Sequence, residues 1–268
     1  MSETQVGRCP YDAYYFAHDC GRPYQRDEAW LGFFGGIADQ IVRQIGPRTV
    51  LDAGCAMGFL VESLRDRAVE AYGLDVSEYA IQRVRPDIRR YCWVDSVTDA
   101  LPQRYDLIVC IEVLEHLSPG EAEVAIANLC AHTDDALFSS TPLDYKEATH
   151  VNVQPPEHWA ELFARHSLYR DVDFDAGFIT PWAARFRRSG QPVHRVVRDY
   201  ERKLWLLRRE ATELRARVME MRDELAAKEN LGLAAGARTS ATSAGHEPSL
   251  TANNRPWSWR LRRTGKTG

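Results

Sequence analysis

One short stretch of the chain decides the fold: Val50-Leu51-Asp52-Ala53-Gly54-Cys55-Ala56-Met57-Gly58-Phe59-Leu60. Its apolar beginning predicts a buried strand, its small residues predict a tight turn, and Phe59 begins a helical pattern. Gly54 and Gly58 let the backbone approach a ligand where any Cβ would collide. Asp52 places a carboxylate near the carboxyl end of the strand, where open α/β sheets bind their ligands.

The chemistry of this turn favours a cationic ligand. Dinucleotide-binding folds have the spacing G-x-G-x-x-G, which seats a pyrophosphate on a helix N-terminus. Here the spacing is G-x-A-x-G, and Asp52 stands two positions before Gly54. A carboxylate would repel a diphosphate, but it would attract the ammonium and sulfonium groups of S-adenosylmethionine. The alternative, for this motif alone, is an ordinary turn between a strand and a helix.

Acidic residues also follow the next two predicted strands. Asp75 comes 21 residues after Gly54, where a carboxylate can accept hydrogen bonds from both ribose hydroxyls of a nucleoside. Val76 would then flank the adenine. Asp95 and Ser96 end the third strand and are placed to meet the adenine amino group, although an aspartate there could equally cap a helix. These positions strengthen the prediction of a ligand that contains a nucleoside.

Apolar runs and helical patterns alternate between residues 46 and 190. Such alternation predicts a parallel sheet with crossover helices. The apolar runs are 49–53, 71–74, 90–94, 107–111 and 136–140, and two final strands are predicted at 169–174 and 182–187. The helical stretches are 59–67, 79–84, 120–133 and 157–166.

Three motifs together resemble those of the class I S-adenosylmethionine-dependent methyltransferases. They are D-x-G-x-x-x-G from Asp52 to Gly58, the acid Asp75, and Y-D-x-I-x-x-x-E-V-L-E-H-L from Tyr105 to Leu117. The resemblance covers about residues 45–188. Ala56 departs from the pattern, since many members have glycine there, but a methyl group is small enough for binding to survive.

The resemblance implies both the fold and the cofactor site. The expected fold is α/β: a doubly wound, seven-stranded, mostly parallel sheet of Rossmann-like type, with the last strand antiparallel. The expected cofactor is S-adenosylmethionine, bound across the carboxyl edge of the sheet. The residues expected to bind it are Asp52, Gly54, Cys55, Gly58, Asp75, Val76, Asp95, Ser96, Ile111 and Glu112.

Two histidines are candidates for the catalytic base. Methyl transfer needs the acceptor aligned with the methyl group, and a hydroxyl acceptor also needs a base for its proton. His150 is expected beyond the carboxyl edge of the sheet, where a neutral imidazole could take that proton at physiological pH. His116 is the second candidate. The alternatives are that His150 binds loop backbone and that His116 has a structural or capping role.

The string E-x-x-E-H, formed by Glu112, Glu115 and His116, raises the question of a metal. It is similar to the metal-binding motif of some small-molecule and RNA-terminal methyltransferases, in which a further histidine completes the site. His150 could supply that histidine, and carboxylates with imidazoles suit a divalent cation. The same string occurs in many relatives that bind no metal. A divalent metal is therefore possible, but it is not the favoured prediction.

The first 45 residues are polar and unusually aromatic, and we expect them to form a cap over the cofactor, with Tyr15, Tyr24 and Arg26 facing it. A hydrophobic flap over one side of the sheet is the alternative. The stretches 20–26 and 150–159 resemble bacterial methyltransferases of surface-glycan and secondary-metabolite pathways. Aromatic faces suit sugar or ring acceptors. The favoured acceptor is therefore a hydroxyl of a glycan or of a similar small molecule.

The composition changes after residue 190. Apolar residues from Val197 to Leu225 alternate spacings of three and four, which predicts a coiled-coil helix over 191–230 and a possible oligomer or partner surface over 196–228. In a parallel homodimer, Glu210 would meet Arg215, which is a favourable contact. Two other contacts, Lys203–Arg208 and Arg217–Arg222, would join like charges. Antiparallel pairing, a different partner and docking on the domain therefore stay open. Residues 231–268 are predicted to be a disordered basic tail.

The composition argues against several functional classes. The net charge is −4 and the pI is near 6.1, so the chain lacks the basic field typical of nucleic-acid binders. The sequence shows no signal peptide, no apolar run of bilayer length and no C-x-x-C pair, which predicts a cytoplasmic protein with free thiols. The alternative functions are an RNA or protein methyltransferase and a non-catalytic methyltransferase-fold scaffold in a biosynthetic complex.

Overall fold

The computed structural model describes residues 10–240, with side chains up to residue 229. The chain divides into two units, one ending at Trp205 and the other beginning at Leu206. The helices are α1 (Ala13–His18), α2 (Glu28–Gln44), α3 (Phe59–Arg65), α4 (Glu78–Ile81), α5 (Pro119–His132), α6 (Pro156–Arg165) and α7 (Val193–Ser240). The strands are β1 (Thr49–Ala53), β2 (Glu70–Asp75), β3 (Cys92–Val94), β4 (Leu107–Ile111), β5 (Asp135–Ser139), β6 (Leu168–Arg170) and β7 (Ala184–Arg188).

The seven strands form one sheet in the order β3-β2-β1-β4-β5-β7-β6. Strands β1 to β5 pair in parallel, and β7 runs antiparallel to both of its neighbours. The predicted doubly wound, seven-stranded sheet is confirmed. The strand order reverses between β1 and β4, and crevices at such a reversal, outside the carboxyl ends of the strands, are where open α/β sheets bind ligands.

Helices bury both faces of the central strands. Leu51 and Ile108 pack with Ile126 of α5 and Phe163 of α6 on one face, while on the other face Val50, Val109, Ile37 of α2 and Leu60 of α3 form a second core. Because neither face meets water, these strands appear in the sequence as continuous apolar runs rather than alternating ones.

The ends of several elements differ from the sequence prediction. The third strand begins at Cys92 instead of residue 90, because Arg89–Tyr91 form a turn of 3₁₀ helix before it. The sixth strand ends at Arg170, and the seventh begins at Ala184, so Trp182 lies outside it. The start of α5 is as its sequence suggests, with Ser118 and Glu121 forming a capping box around Pro119.

The long helix α7 extends beyond the predicted residue 230 to Ser240. Near its start, the Tyr200 hydroxyl accepts a hydrogen bond from the Arg170 amide and Arg202 pairs with Asp173. These contacts tie the beginning of α7 to the sheet domain. The predicted tail beyond Ser240 lies outside the described residues.

The cysteines of the described region are free thiols, and four of them, Cys55, Cys92, Cys110 and Cys130, are buried. This agrees with the absence of a C-x-x-C pair in the sequence. Between residues 10 and 240, we find no helix that combines the length and the apolar character needed to cross a membrane.

Candidate active site

The turn after β1 requires glycine at its first position. Gly54 has φ +93°, and a Cβ built on it would lie 2.3 Å from Cγ2 of Val113. The backbone amides of Gly54 and Cys55 both donate to the carbonyl of Leu74 on β2, over 2.8 and 2.9 Å. The turn is thereby pulled against the neighbouring strand, and a side chain at Gly54 would force it open.

Asp75 holds this turn as well as facing the cavity beside it. One carboxylate oxygen accepts from the Ala56 amide and the other from the Ser77 amide, each over 2.8 Å. Ala56 has φ +46°, a left-handed conformation that costs a non-glycine residue roughly 1–2 kcal/mol. The hydrogen bond from its amide to Asp75 stabilises that conformation. This explains how the turn forms with an alanine at this position.

A cavity of about 820 Å³ opens at the carboxyl edge of β1, β2 and β4. Of the ten residues expected to bind cofactor, nine line it: Asp52, Gly54, Cys55, Asp75, Val76, Asp95, Ser96, Ile111 and Glu112. Gly58 is the exception. It precedes α3 with φ +72°, and a Cβ there would lie 3.2 Å from Cγ2 of Val84. Gly58 thus lets the helix begin and pack closely on Val84, and its contact with the cofactor stays a prediction.

Two carboxyl groups lie close together in the floor of the cavity. Asp52 is buried, and burial together with the nearby Asp75 raises its pKa to about 8. Burial also raises the pKa of Asp75, while its two backbone hydrogen bonds act in the opposite direction. Near neutral pH Asp52 is thus largely protonated, and a cation placed beside it would favour the ionised form.

Aromatic side chains from the N-terminal segment form the outer wall of the cavity. They are Tyr11, Tyr15, Phe16, Tyr24, Trp30, Phe33 and Phe34. Tyr15 and Tyr24 thus face the cavity as the sequence prediction had them. The prediction for Arg26 is wrong, because its guanidinium pairs with the buried carboxylate of Glu62 on α3. A buried acid attracts the nearest arginine more strongly than a cavity open to water does.

His116 lies between the end of β4 and this aromatic wall. Its ring makes edge contacts with Tyr11 and Tyr15, with ring centres 5.5 and 6.3 Å away. Nδ1 lies 3.3 Å from the carbonyl of Thr149, so the proton sits on Nδ1 and the lone pair is on Nε2. Burial, together with the neighbouring His150, lowers the pKa of His116 to about 4. The ring is therefore neutral at physiological pH.

His150 also lines the cavity, but both of its ring nitrogens face oxygen acceptors. Nδ1 lies 2.9 Å from the carbonyl of Asp144, and Nε2 lies 3.0 Å from a carboxylate oxygen of Glu147. Because both ring nitrogens are held by oxygens of its own loop, neither is directed at a substrate hydroxyl in the cavity. The sequence left two hypotheses for His150, a catalytic base and a histidine that binds loop backbone. This arrangement supports the second.

Three residues at the site had no signal in the sequence. The indole nitrogen of Trp182 donates a hydrogen bond to the Glu112 carboxylate over 2.9 Å and so fixes its position. The backbone of Glu112 is left-handed, with φ +51°. Glu147 binds His150 and accepts from the Thr149 hydroxyl. Thr141 donates its amide to the buried carboxyl of Glu115. All three lie on loops in the structure, although the sequence predicts Trp182 as part of the last strand, and only the folded chain brings them to the site.

Glu115, His116 and His150 could together hold a divalent cation. Each offers a ligand atom, and these atoms lie within 4.8 Å of one another. Carboxylate and imidazole donors suit such an ion. However, His150 already uses both nitrogens, and burial together with the Glu112 carboxylate raises the pKa of Glu115 well above its usual range. A protonated Glu115 carries no charge, so it can be buried here without a cation to compensate it.

The sequence pattern of one protein family matches this part of the chain. The family is described as a methyltransferase domain, and the match covers residues 29–178, more than half of the chain. The chain belongs to this family. The prediction of a class I S-adenosylmethionine-dependent methyltransferase is confirmed, and S-adenosylmethionine is the methyl donor of this class.

Relatives of this methyltransferase include O-methyltransferases of ubiquinone biosynthesis. The protein from Serratia proteamaculans (strain 568) is 38% identical over 106 residues, covering 37% of this chain and 39% of the relative. That from Neisseria meningitidis serogroup C is 32% identical over 134 residues, covering 46% of this chain and 54% of the relative. The methyltransferase thus spans about two fifths to one half of the curated relatives it matches.

Solved structures of low sequence identity share the fold. The magnesium protoporphyrin IX methyltransferase of Synechocystis PCC 6803, with bound S-adenosylhomocysteine, gives a TM-score of 0.50 at 16% identity, covering 59% of this chain and 83% of that one. The amino pentose methyltransferase CalS10 of Micromonospora echinaspora, with bound S-adenosylmethionine, gives 0.50 at 15% identity, covering 61% and 93%. These likenesses show the methyltransferase fold alone.

Proposed function

We propose that this protein methylates a hydroxyl group of a small, ring-containing acceptor, and that His116 takes the hydroxyl proton. The observation that carries the proposal is the position of His116. Its neutral ring lines the cavity between Glu112, at the end of β4, and the tyrosines of the N-terminal segment. A methyl group delivered at the carboxyl edge of β4 and an acceptor stacked on those tyrosines would meet beside Nε2.

A weakly basic imidazole is sufficient for this reaction. When bound, S-adenosylmethionine supplies a methyl group on a sulfonium, and the thioether that departs needs no acid. The acceptor oxygen gains positive charge as its bond to the methyl carbon forms, so its proton becomes strongly acidic late in the step. His116, with a pKa of about 4, can accept that proton and pass it to water.

His150 and Glu147 would act as supports in this scheme. His150 lies against His116, with ring centres 4.7 Å apart, and is itself fixed by Asp144 and Glu147. The pair of hydrogen bonds holds the loop after β5 over the cavity. This arrangement orients His116 and limits the access of water to the transferring methyl group.

The cavity wall and the relatives support the proposed acceptor class. Aromatic rings stack on the flat faces of sugars and of aromatic acceptors. The curated relatives named above are O-methyltransferases, which favours a hydroxyl as the acceptor group. A glycan or a hydroxylated aromatic compound therefore fits best. A role of the protein in RNA or protein methylation, or as an inactive scaffold, is the competing proposal.

Tritium-labelled S-adenosylmethionine separates these functions. We expect label to enter catechols or sugar hydroxyls when purified protein is incubated with a panel of polyphenols, free sugars, lipid-linked glycans, bulk RNA and bulk protein. Label confined to RNA or protein would overturn the proposed acceptor class. If calorimetry detects no S-adenosylhomocysteine binding at high micromolar concentration, the scaffold proposal replaces the enzyme.

Cofactor binding should depend on pH through Asp52. Its carboxyl, protonated below a pKa of about 8, must ionise to pair with the ligand's ammonium, so a proton is released on binding. Affinity for S-adenosylhomocysteine should therefore rise between pH 6 and pH 8, by up to about tenfold per pH unit, and level off above pH 8. Calorimetry across this range measures the effect. Asp52→Asn should bind more weakly and without this slope; an equal slope in both proteins would contradict the assignment.

Removal of divalent metals should leave the reaction intact. The hydrogen bonds of His150 and the protonation of Glu115 satisfy the cluster without an ion. We expect turnover after dialysis against EDTA to stay within about twofold of the untreated rate, since no charge compensation is lost. A large loss that magnesium or manganese restores would instead assign Glu115, His116 and His150 as metal ligands.

A further inference from the structure

Helix α7 presents an apolar seam to solvent along most of its described length. The seam consists of Val197, Tyr200, Leu204, Leu207, Ala211, Leu214, Val218, Met221 and Leu225. All of these except Ala211 are among the exposed large hydrophobic side chains, with exposed fractions from 38% to 62%. In heptad terms Val197, Leu204, Ala211, Val218 and Leu225 occupy a positions, and the others occupy d positions. A row of this kind is normally covered by a second helix.

We infer that this seam binds the same seam of a second copy of the chain, with the two helices antiparallel and centred between Thr212 and Glu213. In this register Leu204, Ala211, Val218 and Leu225 each pack in a layer with an apolar d residue of the second copy, and Val197 lies opposite Lys228 at the end of the seam. Leu204 lies against Met221 of the second copy, Leu207 against its Val218, and Ala211 against its Leu214. The small Ala211 thus faces a leucine at the centre, so no layer is left with two small residues.

The charges that flank the seam on one side select this register. The g positions carry Lys203, Glu210, Arg217 and Glu224, which alternate in sign. In an antiparallel pair, g residues meet g residues of the second copy. With the stated centre, Lys203 meets Glu224 and Glu210 meets Arg217, and each pair occurs twice by symmetry. Every g contact therefore joins opposite charges.

The charges at the e positions, on the other side of the seam, favour the same register only in part. They carry Glu201, Arg208, Arg215, Arg222 and Glu229. Glu201 meets Arg222 of the second copy, which is favourable, while Arg208 meets Arg215, which is not. Both sides together give six contacts between opposite charges and two between like charges.

Other pairings of two copies are less favourable. Moving the antiparallel register by one heptad toward the C-terminus leaves only like-charge contacts at both e and g positions, and moving it the other way brings Lys203 against Arg217. In a parallel pair, g residues meet e residues five positions later. Opposite charges then meet only at Glu210–Arg215, while like charges meet at Lys203–Arg208, Arg217–Arg222 and Glu224–Glu229. Apolar burial would hold either dimer, but charge discriminates between them.

Cysteine cross-linking tests the orientation. In the inferred dimer Leu204 faces Met221, while the two copies of Leu204 are 17 residues apart along the axis, about 25 Å. L204C and M221C co-expressed should form a mixed disulfide dimer under mild oxidation, and L204C alone should form none above the wild-type background. A parallel dimer would cross-link L204C to itself and would overturn the inference. A chain that stays monomeric in sedimentation at all concentrations would overturn it too.

Charge reversal at Arg217 tests the register, because it should weaken the inferred antiparallel dimer and strengthen a parallel one. R217E places like charges at both Glu210 contacts, so the dimer dissociation constant should rise roughly tenfold or more. The double variant E210R/R217E should restore the wild-type value. R209E makes the same charge change on the far side of the helix, and should have little effect. In a parallel pair R217E would face Arg222 and tighten the dimer, an outcome that would refute the inferred arrangement.

Discussion

Asp75→Ala should weaken S-adenosylhomocysteine binding by roughly tenfold to several hundredfold. The carboxyl group of Asp75 lines the cavity, and we expect it to accept hydrogen bonds from the ribose hydroxyls of the bound cofactor. A hydrogen bond to a charged group contributes about 1.5–3 kcal/mol, and each 1.4 kcal/mol is a factor of about ten in affinity. The same side chain holds the Ala56 amide, so its loss also loosens the turn that shapes the cavity. Calorimetry at constant pH measures the change.

Two control variants separate binding from folding in this experiment. Asp75→Asn keeps one oxygen acceptor and should lose less affinity than Asp75→Ala. Asp173→Ala removes an exposed acid that pairs with Arg202, and should leave binding unchanged. Thermal unfolding of each variant shows whether the protein is still folded at the temperature of the titration. Wild-type affinity in folded Asp75→Ala would exclude Asp75 from the ribose site.

The fold could be predicted because its strands, turns and helix starts have local signals in the sequence. The stretch 50–60 shows a buried strand, a turn with glycines at both ends and a helix start, although distant residues such as Asp75 complete the turn. The repetition of apolar runs then fixes the number of parallel strands. The acids at the strand ends, Asp75 and Asp95, line the cavity because carboxyl ends of parallel strands share one edge.

The acceptor side could not be predicted in the same detail, because it depends on contacts that have no periodic pattern in the sequence. A histidine in a loop appears equally available in sequence whether or not its nitrogens are bound. The contacts of His150 with Asp144 and Glu147 exist only once the loop after β5 has folded. Likewise, the interaction of Arg26 with Glu62 joins residues 36 positions apart. Burial of Glu62, and not any feature of the N-terminal segment, determines where that arginine points.

His116→Ala should lower kcat by roughly 100-fold or more, because general-base catalysis typically contributes 10² to 10⁴. The affinity for S-adenosylhomocysteine should change little, since the imidazole lies on the acceptor side of the cavity. His150→Ala should also lower kcat at nearly unchanged cofactor affinity, but less severely, because it removes a support rather than the base. Initial rates at saturating methyl donor and acceptor, with calorimetry on each variant, measure both quantities.

The pH profile distinguishes His116 from a base with an ordinary pKa. A base whose pKa is about 4 is fully deprotonated above pH 6, so kcat of the wild-type enzyme should be flat between pH 6 and pH 8. If a group that titrates between pH 6 and pH 8 were the base instead, kcat would rise with pH across this range. Because Asp52 acts on cofactor affinity, its titration should appear in KM for the methyl donor and not in kcat. A rising limb in kcat that persists in His116→Ala would transfer the role of base to another group.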